Sequence, residues 1–69
     1  MKEIKINTDF IKLDQFLKLV DIAQSGGHGK MIILDGLVKV NGQIVVQRGK
    51  KLYKDDIIEL EDYDKFVIV

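Results

Sequence analysis

Hydrophobic and polar residues follow two different periods along the first third of the chain. Residues 3–6 alternate polar and apolar side chains, which predicts a short edge strand. Further on, apolar residues recur with the i, i+3, i+4, i+7 spacing of one helix face, at Leu13, Phe16, Leu17 and Val20. This spacing predicts an amphipathic helix over about residues 11–23.

A glycine-rich stretch, residues 24–29, separates this helix from a second apolar run. Each glycine costs a helix about 1 kcal/mol relative to alanine, so we expect the first helix to end there. Ser25 is a predicted N-cap for a second helix over about residues 27–35. Its predicted inward-facing side chains are Met31, Ile32 and Leu34. Gly36 is placed to end this helix in a left-handed conformation.

The rest of the chain alternates short apolar runs with polar turns, which is typical of a small sheet. Strands are predicted over residues 37–40, 43–46, 57–61 and 65–69, with 50–53 as a short strand or an extended connection. Asn41 and Gly42 favour a type I′ turn between the first two of these strands. Together with residues 3–6, they predict an α+β fold in which a helical hairpin packs on a mostly antiparallel sheet.

Composition limits the chain to a small domain, which we expect to span residues 1–69. It has no cysteine, so neither a disulfide nor a thiolate metal site supplements its core. It has no secretory-type apolar run at its start, and no stretch approaches the roughly 20 apolar residues of a membrane span. These features predict a cytoplasmic protein.

The net charge of zero conceals an uneven distribution. Residues 28–54 carry six lysines or arginines against one acid, which gives +5, whereas residues 55–69 carry one lysine against six acids, which gives −5. A basic middle and an acidic end can fold into two faces of opposite sign, or they can form an ordinary mixed surface.

Catalysis and metal binding find little support in the residue types. His28 is the one histidine, and a helix-capping role for Ser25 and an exposed position for His28 explain this pair better than a nucleophile and its base. The glycine-rich stretch lacks the phosphate-loop pattern and follows a helix rather than a strand. We therefore predict a protein that is not an enzyme and has no catalytic residue, no metal and no cofactor.

Nucleic-acid binding fits the residues better. A glycine-rich turn that leads into a helix presents free N–H groups and a positive dipole end to an anion, and Lys30 follows one turn later. Lys12 stands at the predicted start of the first helix, and a basic run from Arg48 to Lys51 follows the β-turn. Such groups recognise backbone charge and shape more readily than base sequence.

Three segments resemble one family. Lys12–Leu17 (K-L-D-Q-F-L) resembles the (R/K)-L-D-x-F-L opening of the S4 RNA-binding domain, and Gly36–Gly42 (G-L-V-K-V-N-G) resembles its G-x-V-x-V-N-G segment. Lys54–Ile58 stands where that family has a G-D-x-(I/V) turn and strand. The resemblance covers about residues 10–60. The S-G-G-x-x-K run from Ser25 and the R-G-K-K-L run from Arg48 look most like bacterial stand-alone S4 proteins of the YaaA/YbcJ type.

The resemblance implies an S4-like fold (the αL motif), with a helical hairpin on a small sheet. It also implies a monomeric RNA-binding protein that recognises structured RNA, such as ribosomal RNA or tRNA, in ribosome assembly or translation, with ribosomal proteins as further partners. By the same transfer, the RNA-facing residues are Lys12, Ser25, Gly26, Gly27, Lys30, Lys39, Arg48, Lys50 and Lys51. Two positions depart from the family pattern: Gly26 and Gly27 replace a frequent basic pair, and Asp55 replaces a frequent glycine.

The alternative is a protein–protein adaptor on the ribosome. Residues 67–69 end the sequence with an apolar strand that could pair with a partner, and the acidic end could meet a basic ribosomal protein. The same alternation also fits a core strand of the sheet.

Overall fold

Two short helices lie against a five-stranded sheet in the computed structural model, which describes residues 1–61, 63 and 65–69. The helices are α1 (Leu13–Leu19) and α2 (Gly26–Leu34). The strands are β1 (Lys2–Ile4), β2 (Ile11–Lys12), β3 (Val38–Val40), β4 (Gln43–Ile44), β5 (Lys51–Leu52), β6 (Ile57–Leu60) and β7 (Lys65–Ile68). Within this part of the chain, neither helix has the length and hydrophobicity needed to cross a membrane.

The strands form two sheets. The larger has the order β1-β7-β6-β3-β4, in which β1 and β7 run parallel and the other neighbours run antiparallel. Strands β2 and β5 form a separate antiparallel pair. The predicted α+β class and the mostly antiparallel sheet are thus confirmed. Because β7 lies between β1 and β6, its backbone has no open edge on which a partner strand could pair.

Helix α1 is shorter at both ends than the predicted range 11–23. It begins late because Ile11 and Lys12 are extended and pair with β5. It ends early because Asp21 adopts a left-handed conformation (φ 61°), and the N–H groups of Asp21 and Ile22 donate to the carbonyls of Lys18 and Leu17. This is a Schellman ending with aspartate in place of the usual glycine. Gly36 (φ 73°) ends α2 in the same way, as predicted.

The buried face of α2 differs from the predicted one. Met31 and Leu34 are 66% and 57% exposed, whereas Ile33 is fully buried. Gly29 is also buried, and Gly29 and Ile33 are one helical turn apart on the same face. Close packing of α1 against Gly29 turns this face inward, so the prediction that Met31 and Leu34 point inward is wrong.

The core lies between the helices and one face of the sheet. Phe16 of α1 meets Phe66 of β7 edge-to-face at 5.5 Å between ring centroids, which fixes the helix against the sheet. Alternate residues of β3, β6 and β7 point to the same side, as period-two strands require. The buried apolar side chains are Ile6, Leu13, Phe16, Leu17, Ala23, Ile33, Val38, Val40, Leu52, Ile58, Leu60, Phe66 and Ile68.

The turn between β3 and β4 has the predicted type I′ form. Asn41 (φ 52°) and Gly42 (φ 85°) both have positive φ, and Val40 pairs with Gln43 across them. The Asn41 side chain also ties this turn to the turn before β6. Its Nδ2 donates to Asp56 Oδ1 at 3.0 Å, and its Oδ1 accepts from the Ile57 N–H at 2.9 Å.

Asp55 also has a left-handed backbone, with φ at 75°. A side chain at such a position strains the backbone, and glycine removes that strain. We expect Asp55→Gly to raise the free energy of unfolding by about 1 kcal/mol, which for a domain of this size raises the melting temperature by about 4–8 °C. Thermal unfolding followed by circular dichroism measures the change. Asp55→Ala removes the charge but keeps the Cβ, so an equal gain in that variant would contradict the conformational explanation.

Candidate nucleic-acid interface

The β2–β5 pair brings together two parts of the chain that are distant in sequence. Lys12 lies directly opposite Lys51, and Ile11 lies opposite Leu52. Both lysines are exposed, whereas Leu52 is fully buried and anchors the pair in the core. The start of α1 and the basic run from Arg48 to Lys51 therefore form one surface, which we call the basic cluster: Lys12, Arg48, Lys50 and Lys51.

The main chain of this basic run caps α1. The first N–H groups of a helix have no partner within it. The Leu13 N–H donates to the Lys50 carbonyl at 2.9 Å, and the Asp14 N–H donates to the Arg48 carbonyl at 3.1 Å. The side chains of Arg48 and Lys50 remain exposed while their carbonyls hold the helix.

Ser25 and His28 shape the start of α2. Ser25 has an extended backbone, and its Oγ accepts from the His28 N–H at 3.2 Å, as an N-cap does. The Gln24 N–H donates to His28 Nδ1 at 3.3 Å, so the imidazole closes the turn before the helix. The Ser25 hydroxyl therefore bonds to the main chain of His28. In a nucleophile–base pair it would instead bond to the imidazole ring.

Two glycines in α2 have different surroundings. A Cβ on Gly27 would meet only the Ser25 Oγ, at 3.9 Å, and this residue is exposed. A Cβ on Gly29 would lie 3.4 Å from the Ala23 Cβ, 3.9 Å from Leu17 Cδ1 and 3.9 Å from the Asp14 carbonyl oxygen. Gly29 thus permits close packing of the helices, whereas Gly27 leaves space above the first turn of α2.

This packing places the starts of both helices side by side. The Asp14 carbonyl belongs to the first turn of α1, and Gly29 lies one turn into α2. Lys30, next to Gly29, is exposed. The basic cluster and the predicted anion-binding turn at Ser25, Gly26 and Gly27 consequently lie on adjoining parts of the molecule.

Lys39 lies apart from the other predicted residues. It stands between Val38 and Val40, which are buried against the helices, so its side chain points to the opposite face of the sheet. Its cross-strand neighbours are Ile44 on β4 and Glu59 on β6. Lys39 therefore lies on the outer face of the sheet, away from the helix starts near which Lys12, Ser25, Gly27 and the run from Arg48 to Lys51 are placed.

Comparison with known proteins identifies the family. The family model of the S4 domain matches residues 4–69. The chain belongs to the S4 domain family. This S4 domain is 44% identical over 66 residues to the probable ribosome maturation protein RlbA of Bacillus subtilis, an alignment that covers 96% of this chain and 93% of that protein. The resemblance found in the sequence motifs is confirmed.

A solved structure extends the comparison to the fold. The 30S ribosomal protein S4e from Thermoplasma acidophilum superposes on this S4 domain with a TM-score of 0.58 and 26% sequence identity. The match covers 78% of this chain and 29% of that chain, so this S4 domain corresponds to less than a third of that ribosomal protein.

An aromatic pair borders the basic cluster and was absent from the sequence prediction. The rings of Phe10 and Tyr53 lie 6.1 Å apart at an interplanar angle of 53°. The Lys51 ammonium lies 4.7 Å from the Phe10 ring centroid, within the range of a cation–π contact. In the sequence, the position of Tyr53 two residues after Lys51 could have indicated this pair, because aromatic residues among cations are typical of surfaces that bind nucleic acid.

A shallow concavity opens beside Tyr53. It has a volume of about 430 Å³ and lies between the β3–β4 turn and the chain from Lys50 to Asp56. Its wall includes Val40, Gln43, Val45, Lys50, Lys51 and Tyr53. Asn41 and Asp56 complete the wall, so this S4 domain carries a hollow with apolar, cationic and acidic groups next to its basic cluster.

Proposed function

We propose that this S4 domain binds structured ribosomal RNA and acts without catalysis, in the cytoplasm, in ribosome assembly or translation. The observation that carries the proposal is the convergence of Lys12, Arg48, Lys50 and Lys51 with Lys30 beside the adjoining starts of both helices. Membership of the S4 family and the likeness to a protein named for ribosome maturation support the ribosomal assignment.

The two helix starts would contribute differently. At α1, loop carbonyls occupy the N–H groups of Leu13 and Asp14, so the contribution is the surrounding cationic side chains. At α2, Ser25 takes up the His28 N–H. The N–H groups of Gly26 and Gly27 are therefore those we assign to an RNA phosphate, because the first N–H groups of a helix lack intrahelical partners.

This arrangement favours recognition of shape over sequence. Exposed lysines and helix N–H groups bind phosphate oxygens, which carry no base identity. An A-form RNA helix offers its phosphates and 2′-hydroxyl groups to such a surface. We therefore propose that a folded RNA helix or junction is the ligand, and that binding weakens steeply as salt rises.

Charge-removal variants test the proposal. Lys12→Gln, Lys30→Gln and Lys50→Gln each remove one cation and keep the long side chain. For an RNA hairpin titrated at several salt concentrations, we expect each variant to weaken binding and to reduce the slope of log affinity against log salt by about 1.

Lys39→Gln is the matched control, because it makes the same change on the opposite face of the sheet. It should leave both the affinity and the salt slope unchanged. Failure of the unmodified protein to bind any hairpin at low salt would contradict the proposed function. Equal losses of RNA affinity in Lys39→Gln and Lys50→Gln would contradict an interface at the helix starts.

A second candidate function rests on the outer face of the sheet. Leu37 and Ile44 are 36% and 59% exposed, and they border a concavity of about 290 Å³ beside Glu59 and Glu61. Lys39 also lines this concavity, and Lys65 Nζ lies 3.9 Å from Glu59 Oε1. We propose, as the alternative, that this apolar face, with Glu59 and Glu61 beside it, binds a basic ribosomal protein. Capture of ribosomal proteins that survives nuclease treatment, and that Ile44→Lys abolishes, would favour this adaptor role. Capture that nuclease removes would favour RNA.

A further inference from the structure

We infer that the concavity beside Tyr53 holds one unpaired nucleotide of the bound RNA, with its base stacked on the Tyr53 ring. The inference rests on the proposed function and names the RNA feature that this S4 domain selects. The Tyr53 side chain is 49% exposed and forms part of a hollow of about 430 Å³. That volume lies within the range of small-ligand pockets.

Two hydrogen bonds hold the main chain of Tyr53, and one aromatic neighbour borders its ring. Its N–H donates to Asp56 Oδ2 at 2.8 Å, and its carbonyl accepts from the Asp56 N–H at 3.1 Å. Phe10 supports the ring at 6.1 Å between centroids. With its main chain held and its ring beside Phe10, Tyr53 loses less conformational freedom on stacking than an unsupported side chain would lose.

Cations lie where a stacked nucleotide would need them. Lys50 and Lys51 line the same hollow, and the contact of Lys51 with the Phe10 ring keeps its ammonium beside the aromatic pair. A base on Tyr53 would therefore have its phosphate near two positive charges. Exposed aromatic residues beside cations form the usual platform for single-stranded nucleic acid.

We expect the hollow to bind any of the four bases without discrimination. The Asn41 amide donates to the Asp56 carboxylate and accepts from the Ile57 N–H, and the Asp56 carboxylate also accepts from the Tyr53 N–H. Each of these polar atoms already makes one hydrogen bond within the protein, and the inference therefore rests on stacking rather than on reading the edge of a base. Stacking on an aromatic ring tolerates all four bases, because each has an aromatic face.

A base within a duplex cannot use this surface. Stacking on its neighbours hides its faces, and an A-form helix presents base edges, sugars and phosphates. Only a bulged, looped or terminal nucleotide can place its face on Tyr53. We therefore expect the basic cluster to bind the adjoining helix while Tyr53 selects a helix interrupted by an unpaired base.

The test compares two RNA hairpins that differ by one bulged nucleotide, a fluorescent purine analogue whose emission falls on stacking. At low salt we expect the bulged hairpin to bind more tightly and to lose emission. Tyr53→Ala should weaken binding of the bulged hairpin roughly 5- to 150-fold and abolish the emission change. The hairpin without the bulge has the same loop and the same end, so any loss that it shows is subtracted and should be much smaller. Tyr53→Phe should behave like the unmodified protein.

Tyr63→Ala is the matched control, because Tyr63 is 63% exposed and lies outside the hollow. Circular dichroism of each variant verifies that it is folded. Equal binding of both hairpins, with neither affinity nor emission altered by Tyr53→Ala, would overturn the stacking inference and leave the proposed function intact. Failure of both hairpins to bind at low salt would overturn both.

Discussion

Gly29→Leu is expected to remove a large share of the protein's free energy of unfolding. The first added carbon would already lie 3.4 Å from the Ala23 Cβ, and the rest of the side chain would enter the space between α1 and α2. Overpacking of this kind costs about 1–3 kcal/mol and occasionally more. A chain of this length has a total stability of roughly 3–10 kcal/mol, so the loss is a large share of it. Urea unfolding followed by circular dichroism measures the effect.

Gly27→Leu makes the same substitution two residues away, and it should lower RNA affinity while leaving the protein stably folded. Gly27 is exposed, and a Cβ there meets only the Ser25 Oγ at 3.9 Å. Replacing a helical glycine can even stabilise the helix, by up to about 1 kcal/mol. If the first turn of α2 binds a phosphate, this leucine obstructs the approach and lowers RNA affinity in a folded protein. Equal destabilisation by the two variants would show that Gly29 has no special packing role.

Asn41→Ala is expected to have the second-largest effect on stability, about 2–3 kcal/mol. It removes two side-chain hydrogen bonds, to Asp56 and from the Ile57 N–H, each worth about 0.5–1.5 kcal/mol. It also places alanine at a φ of 52°, which aspartate and asparagine tolerate better. Because these bonds join the two turns, the end of the β3–β6 pair at Val40 and Ile58 should loosen first. Hydrogen exchange of the Ile57 amide would report this loosening.

Asn41→Gly separates the two causes. Glycine accepts the left-handed conformation and keeps the backbone bond from the residue 41 N–H to the Ile57 carbonyl, but it lacks the amide. We expect it to recover about 1 kcal/mol of the alanine loss. An Asn41→Ala protein as stable as the unmodified one would show that the turn-to-turn bonds contribute nothing.

Local patterns predicted the elements that depend on neighbours in sequence. The apolar spacing around Leu13, Phe16 and Leu17 gave the buried face of α1, and Asn41 with Gly42 gave the type I′ turn. The early end of α1 was missed because Asp21 takes a conformation that glycine usually takes. Its late start was missed because the partner of Lys12 is Lys51, a distant residue that no periodicity reveals.

The candidate interface was predictable in composition but not in arrangement. The motifs identified its cations, yet the adjacency of the two helix starts depends on packing at Gly29, which the sequence shows only as one glycine among several. The position of Lys39 could have been predicted, because it alternates with two valines that face the core. Tyr53 acquires its importance from Phe10, which comes from a distant part of the chain.

The capping of α1 by the main chain bears on how this surface can evolve. The main-chain carbonyls of Arg48 and Lys50 accept from the first N–H groups of α1. Every amino acid has such a carbonyl, so any side chain that leaves the loop undistorted can stand at these two positions. Mutations at these two positions can therefore change the charge and reach of the surface at little cost to folding. If this surface binds RNA as proposed, its preference for a target can change on an unchanged scaffold, one substitution at a time.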